Sequence, residues 1–449
     1  MKKSVSRDVV GDAGAVAAKK VLPPKEQPKA KKNLVECRHL DKVGPGSRSI
    51  FSASSGKFLI SGRFPPTMEK PLTDRNFEML PKIDIKGINI LRENGIAVLN
   101  SKGMKGAGDN TIGQDALSVS YLGNGLWIYV VADGHGLAGD TVASHVMVAL
   151  PYFMASAECM QLITTGQHEA AFETAFRLVQ KDVETMLGKM LGDDLKFSGT
   201  TCVCMLGECG SKIVHIAHVG DSKAIMIHPN GSVMYRTEDH KPENAKERVR
   251  VEEKGCEVVE ITYEDGARLV KINLKGQSSP AISFTRSFGD TGVKAHGVHA
   301  SPEVSRWAVR EETSDAPRKS QSLEKAGNLL KRFGTKFMGA NSRDQLEEKT
   351  LDQGHVLLAS DGIWEFMTCE EVALFVATLI EQGINGQETL HQLVLEARER
   401  WRKEEDNYCD DITAILVPST ILPVVLPKVA DKKSSCCGCF AACKTCTVM

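Results

Sequence analysis

An α+β fold built on antiparallel sheets is predicted by three features of this 449-residue chain. Short runs rich in β-branched and aromatic residues recur between about residues 90 and 418, most of them bounded by Gly, Asn or Asp. Turn residues suited to hairpins join neighbouring runs. Long amphipathic stretches separate clusters of strands, which disfavours a doubly wound parallel sheet.

In chain order the strand-like runs are GIAVLN, ALSVSYLG, LWIYVVAD, TTCVCMLG, KIVHIAHV, KAIMIHP, HVLLASD and ITAILV. KIVHIAHVG lies next to SKAIMIHPNGSVMYR, with its Pro-Asn-Gly turn, so this stretch reads as consecutive hairpins. Phe172, Phe176, Val179, Val183 and Met186 recur at three- and four-residue steps and give one apolar helix face. Similar periodicity runs through 138–154, 370–382 and 387–402. Residues 1–75 read as a basic, largely disordered arm containing PPKEQPKAKK, and 76–418 as the globular domain. Within that domain 311–353 is charged, broken by Gly and Ser, and reads as an insertion loop. Residues 419–449 form a tail of different character.

Composition narrows the class. With 42% apolar and 25% charged residues the chain is ordinary soluble material, and a formal charge of −1 gives no global field for nucleic acid. No apolar run reaches the roughly 18 residues that span a bilayer, and the N-terminus lacks an apolar signal core. Position 2 is Lys, not the Gly that N-myristoylation needs. The 13 cysteines, odd in number and scattered, indicate reduced thiols in a cytosolic protein. Cys202, Cys204 and Cys256 read as buried small hydrophobes.

Four aspartates carry the chemistry. Asp115, Asp133, Asp361 and Asp410 each sit at the edge of an apolar strand-like run. A carboxylate there is costly to bury unless it is paired or bound to a cation. Four such groups suggest strand ends converging on hard metal ions, and oxygen-only ligands suit Mg²⁺ or Mn²⁺ over Zn²⁺. Two ions about 3.5–4 Å apart would lower the pKa of a bridging water and clamp a phosphoryl group. Asp133 opens Asp-Gly-His-Gly, where Gly134 lets a carbonyl approach an ion and His135 is placed to protonate a leaving alkoxide.

Eight segments then follow in one order: GQDALSV, VVADGHGLAGDTVA, FSGTTCVCML, IAHVGDSKAIM, TEDHKPENAKERVRVEEKGCEV, FTRSFGDTGVKAHGVHASPEV, LLASDGIWEFM and YCDDITAILV. In this the chain resembles the metal-dependent protein phosphatases of type 2C, especially plant and protozoan members. The resemblance implies an α/β/β/α sandwich, two antiparallel sheets flanked by helices, with a dinuclear metal site at one end. It also implies hydrolysis of phosphoserine and phosphothreonine in proteins by a metal-bridged water, with two Mg²⁺ or Mn²⁺ per site. Carried over by position, Asp133 would bridge both metals and the Gly134 carbonyl would bind one of them. Asp361 and Asp410 would complete the other, Asp115 would act mainly through waters, and His135 would be the general acid. Asp221 matches a third-metal position, and Glu365 falls where some members carry an aspartate for that ion.

Animal members place a phosphate-gripping arginine five residues before the Asp115 position; here that residue is Asn110. Lys102 or Lys105 would substitute as a point charge, without a bidentate grip. Asp290, in SFGD, reads as a residue that closes a hairpin, and Asp411 as a solvated or hydrogen-bonded neighbour of Asp410. His240 reads as a structural corner at a helix entry. The competing readings are a catalytically weak or silent phosphatase-like membrane scaffold, and a metal-dependent nuclease or nucleotide phosphatase. The second explains the carboxylates but not the ordered motif series.

Cys446-Thr447-Val448-Met449 ends the chain as a C-a-a-X prenylation signal. One lipid binds membranes only marginally. Cys436, Cys437, Cys439 and Cys443 are therefore read as palmitoylation candidates, beside Lys428, Lys432, Lys433 and Lys444 for anionic headgroups. A small zinc site is the alternative, but no histidine ligand accompanies these thiols. The expectation is a monomeric phosphatase acting on phosphoproteins at the cytoplasmic face of a membrane.

Overall fold

The computed structural model describes residues 48–54, 91–308 apart from a few loop positions, and 354–419. Most of the N-terminal arm, the 311–353 insertion and the cysteine-rich tail lie outside the described residues.

Two antiparallel sheets dominate. The larger has the spatial order Arg48–Ser54, Ala116–Gly123, Leu126–Ala132, Cys202–Glu208, Ile213–Val219, Glu303–Ala308. The smaller runs Val233–Arg236, Lys223–Ile227, His355–Ala359, Ile412–Pro418, Ala97–Ser101. The strand Leu126–Ala132 explains why they stack. Every one of its residues is buried, and successive side chains leave a strand on opposite faces. Ile128 and Val130 therefore pack against Phe172, Phe176 and Val146 of the helices Gly139–Met154 and His168–Asp182. Trp127, Tyr129 and Val131 turn the other way, toward Val356, Leu358 and Ile415 of the smaller sheet. Each Leu- or Phe-sized side chain buried in this way contributes about 1.5–3 kcal/mol.

The far face of the smaller sheet is covered by Cys369–Glu381 and Gly386–Glu405, through Val372, Val376, Leu390 and Leu393. Thr368 and Glu371 form a capping box at the first of these helices, and Asn385 caps the second. The result is the expected order of layers, helix, sheet, sheet, helix. A smaller lobe, the helix Ala245–Glu253 with the hairpin Cys256–Thr262 and Arg268–Leu274, closes on Val251, Ile272, Val293 and Val298. Cys202, Cys204 and Cys256 are buried free thiols, as read. Among the described residues no single helix is long and apolar enough to cross a membrane.

Two expectations need correction. Ile213–Val219 and Lys223–Ile227 are not a hairpin; the first pairs with Cys202–Glu208 and Glu303–Ala308, the second with His355–Ala359 and Val233–Arg236. The chain changes sheets at Gly220-Asp221-Ser222. Gly220 has φ +94°, and a β-carbon there would meet the Thr201 side chain at 2.5 Å. The hairpin through Pro-Asn-Gly does form. Met186 also leaves the apolar face. Val183–Leu187 is a π-helical turn, whose wider winding shifts the phase by one residue, so Leu187 is buried and Met186 faces out.

Candidate active site

The four aspartates meet at one end of the stacked sheets. Asp115 precedes Ala116–Gly123 and Asp133 follows Leu126–Ala132; because Ala116 pairs with Ala132, the two carboxylates flank one hairpin end of the larger sheet. In the smaller sheet Ala359 pairs with Ala414, which brings Asp361 and Asp410 to the same edge. Asp221 lies in the crossover between the sheets. A direct link joins them: the Ser360 hydroxyl donates to Asp115 Oδ2 at 2.7 Å and accepts from Thr413 N at 2.9 Å.

The local backbone is fixed tightly. Thr201 N and the Thr200 hydroxyl both donate to Asp133 O, at 2.9 and 2.8 Å. A β-carbon on Gly134 would fall 2.3 Å from Gly139 O and 2.7 Å from Gln114 O, so no side chain fits beside Asp133. Gln114 also donates its amide to Gly136 O at 2.6 Å.

Electrostatically the cluster is short of positive charge. Burial first, then Asp411, pushes Asp115 up to about 7. Burial raises Asp133 well above the carboxylate range, and Asp115, Asp361, Asp410 and Asp221 all add to the effect. Asp361 is raised in the same way by burial, Asp410 and Asp221. Two ammonium groups offset part of this. Lys105 meets the Asp410 carboxylate and donates to Tyr408 Oη at 3.1 Å, while Lys241 stands 3.5 Å from Asp221. Burial alone would lower the pKa of each lysine, but Asp410 and Asp221 hold them above the ordinary value.

His135 is held by a residue read from sequence as a hairpin closure. Its Nε2 lies 2.8 Å from Asp290 Oδ2, and Asp290 also accepts from the Ser287 hydroxyl at 2.5 Å. Burial works against the Asp290 charge, but His135, Lys294 and Ser287 outweigh it and hold the carboxyl below its usual range. The imidazole therefore donates to an ionised carboxylate. Its Nδ1 is buried with no protein hydrogen-bond partner, and Phe284 packs on the ring at 4.5 Å. Asp290 follows the two-residue strand Phe288–Gly289, at φ +45°. Its partner is 155 residues away, and no local signal in SFGD indicates it.

The remaining candidates are placed as follows. Lys102 is buried, its ammonium 2.5 Å from Asp109 and 3.1 Å from Gly103 O, inside the loop and not at the carboxylates. Lys105 stands at the site through Asp410. Asn110 and Glu365 are exposed, and Glu365 ends the one-turn helix Asp361–Trp364 within electrostatic reach of Lys241. Asp411 is buried and accepts Gly103 N and Gln114 N, both at 2.6 Å, so it is the hydrogen-bonded neighbour and not a solvated one. His240 is a corner, accepting from Gly220 N at 3.2 Å beside Asp221. The lipidation cysteines fall outside the described residues.

Among the described residues no three His, Cys, Asp or Glu side chains are drawn into a single coordination cage. The donor chemistry nonetheless suits hard cations: several carboxylates that repel one another, a glycine carbonyl position, and no thiolate or imidazole in the cluster.

Comparisons with known proteins point the same way. Residues 126–315 match the family described as protein phosphatase 2C. A probable protein phosphatase 2C from Oryza sativa subsp. japonica is 28% identical over 227 residues, which cover 49% of this chain and 46% of that protein. One from Arabidopsis thaliana is 27% identical over 298 residues, covering 64% of this chain and 74% of the relative. The matched stretch thus spans less than half of the rice relative's own length. In fold, the chain is similar to a serine-threonine phosphatase 2C from Toxoplasma gondii, with a TM-score of 0.51 and 17% identity over 72% of this chain and 94% of that one.

Proposed function

Because the chain carries a protein phosphatase 2C domain, we propose that it hydrolyses phosphoserine and phosphothreonine esters in proteins. The observation that carries this reading is the meeting of Asp115, Asp133, Asp361 and Asp410 at one sheet end, where burial and then neighbouring carboxylates push Asp115, Asp133 and Asp361 above the ordinary carboxylate range. Asp133, Gly134, Asp361 and Asp410, with Asp115 behind them, would hold two Mg²⁺ or Mn²⁺ ions. Bound there, such ions supply an acidified water and neutralise phosphoryl charge. His135, oriented by Asp290, is the group that would give a proton to the departing seryl or threonyl oxygen. Lys105 is the better of the two lysine candidates for a phosphate contact, since it alone stands at the carboxylates. Asp221 with Glu365 would take a third ion.

Phosphate release from a phosphothreonine peptide, with Mn²⁺ and with EDTA, tests the reading. Activity that survives chelation and Asp361→Asn would falsify it. Well-folded protein silent on several peptides would favour a phosphoprotein-binding scaffold. We propose further that Cys446 carries a prenyl group, with palmitate on one or more of Cys436, Cys437, Cys439 and Cys443, and that this holds the enzyme on the cytoplasmic face of a membrane. Fractionation of cells expressing wild type and Cys446→Ser checks the anchor: identical distribution of the two into the soluble pool rules it out.

A further inference from the structure

Among the described residues seven large apolar side chains are exposed, and three of them lie on segments that meet at the loop of His135. Leu137, two residues after it, is 89% exposed; Ile112 is 53% and Phe197 45% exposed. Short backbone contacts tie all three to the loop that carries Gly134 and His135. Gln114, two residues after Ile112, fastens its side-chain amide to Gly136 O at 2.6 Å. Ala138 N donates to Ser198 Oγ at 3.1 Å, and a β-carbon on Gly136 would lie 2.2 Å from Phe197 O. The Phe197 ring in turn rests on Gly292, where a β-carbon would come within 3.1 Å of Cε1, two residues beyond the Asp290 that holds His135. Met186 and Met190, also exposed, lie on the helical segment that leads into Phe197.

Scattered apolar side chains on a surface need no explanation, but a group of them on one loop cluster does. The site also limits what can cover it. If the carboxylates and His135 act on a phosphoprotein, the segment bearing the phosphate must cross this rim to reach them. An extended chain advances roughly 3.3–3.6 Å per residue, so side chains one or two positions from the phosphoresidue fall on the rim.

We infer that Ile112, Leu137 and Phe197 form an apolar shelf that selects phosphoprotein segments carrying a large apolar side chain within two residues of the phosphoserine or phosphothreonine. This rests on the phosphatase reading and adds a specificity to it. Side chains this exposed cannot enclose a partner, so the selectivity sits at the lower end of what an apolar pocket gives, about five- to twentyfold in kcat/KM.

The test pairs two phosphothreonine peptides that differ only in Leu or Ser at the flanking positions, alongside p-nitrophenyl phosphate, which is too small to reach the shelf. Wild type should favour the Leu peptide by about five- to twentyfold, and Leu137→Ser and Phe197→Ser should each bring that ratio below about threefold. Hydrolysis of p-nitrophenyl phosphate should stay within about twofold for both variants, because neither side chain belongs to the proton-donating or carboxylate groups. Leu137 is so exposed that its replacement leaves folding intact. Equal rates on the two wild-type peptides, or an unchanged ratio in both variants, would overturn the shelf while the phosphatase reading stands. No turnover of either peptides or p-nitrophenyl phosphate would overturn both. Sedimentation gives the remaining outcome: a wild-type dimer that Leu137→Ser dissociates would make the patch a self-association surface and sink the proposal.

Discussion

Two acidic clusters in this molecule, one buried and one half-buried, have opposite electrostatics. Glu247 lies under the small lobe, with Arg250 and Arg286 each at 2.6 Å and the Thr285 hydroxyl at 2.5 Å. Burial there opposes its charge, but those partners prevail and hold its pKa well below the usual carboxylate range. At the sheet ends burial, the largest effect, drives Asp115, Asp133 and Asp361 upward, and the neighbouring carboxylates add to it where Glu247 has arginines. One cluster is complete within the chain. The other is only partly offset, by Lys105 and Lys241, and groups perturbed in this way collect at functional sites.

The largest expected effect breaks the second cluster. Asp361→Asn should lower phosphate release by on the order of 10³-fold. In EDTA it should also raise the melting temperature, because one repelling carboxylate is gone. A lower melting temperature in EDTA would mean that the site is internally satisfied after all. Glu247→Gln probes the complete cluster, and removing one partner of a buried ion pair costs about 3–5 kcal/mol. Urea unfolding should show that loss, while activity per folded molecule changes little; a stability change under about 1 kcal/mol would erase the contrast.

Asp290→Asn lies between the two, since it leaves the carboxylate cluster intact and removes the anion that orients His135. Turnover of a phosphothreonine peptide should fall by roughly 10–100-fold, and that of p-nitrophenyl phosphate, whose leaving group needs no proton, by much less. Equal losses on both substrates would reduce Asp290 to a structural residue. The smallest effect belongs to neither cluster. Burial, His168 and Arg306 lower His215 to about 4, and the two imidazoles stack at 3.8 Å. The unfolded chain therefore takes up this proton near pH 6.5 and the folded chain only near 4, so stability falls as pH drops through that window. His215→Gln should narrow the melting-temperature gap between pH 7 and pH 5 by roughly 1–3 °C. An unchanged gap would place the acid sensitivity elsewhere.

What was legible in the sequence follows from how local each signal is. The strands and long helices were readable because LWIYVVA or a run such as Phe172, Phe176, Val179 states its own periodicity. The aspartates were readable because a carboxylate beside such a run is costly in itself. Pairing was less so: Gly220-Asp221-Ser222 looks like a hairpin turn, and only the separate partners of the two flanking strands reveal a change of sheet. The role of Asp290 is not legible for a related reason, since it depends on an imidazole far away in the chain. Lys102 and Lys105 look alike in NSKGMKGAG, and Asp109 and Asp410 separate them only in three dimensions.

The Ser360–Asp115 bond and the crossover at Gly220–Ser222 have one more consequence. Asp133 is anchored to one sheet and Asp361 to the other, so the gap between them is gauged by the thickness of the layer that Trp127, Tyr129, Val356 and Ile415 fill. Trimming a side chain in that layer would let the sheets settle closer together and alter the spacing of the carboxylates. Residues that never touch a substrate would then tune ion affinity from the inside, as shims set the jaws of a vice.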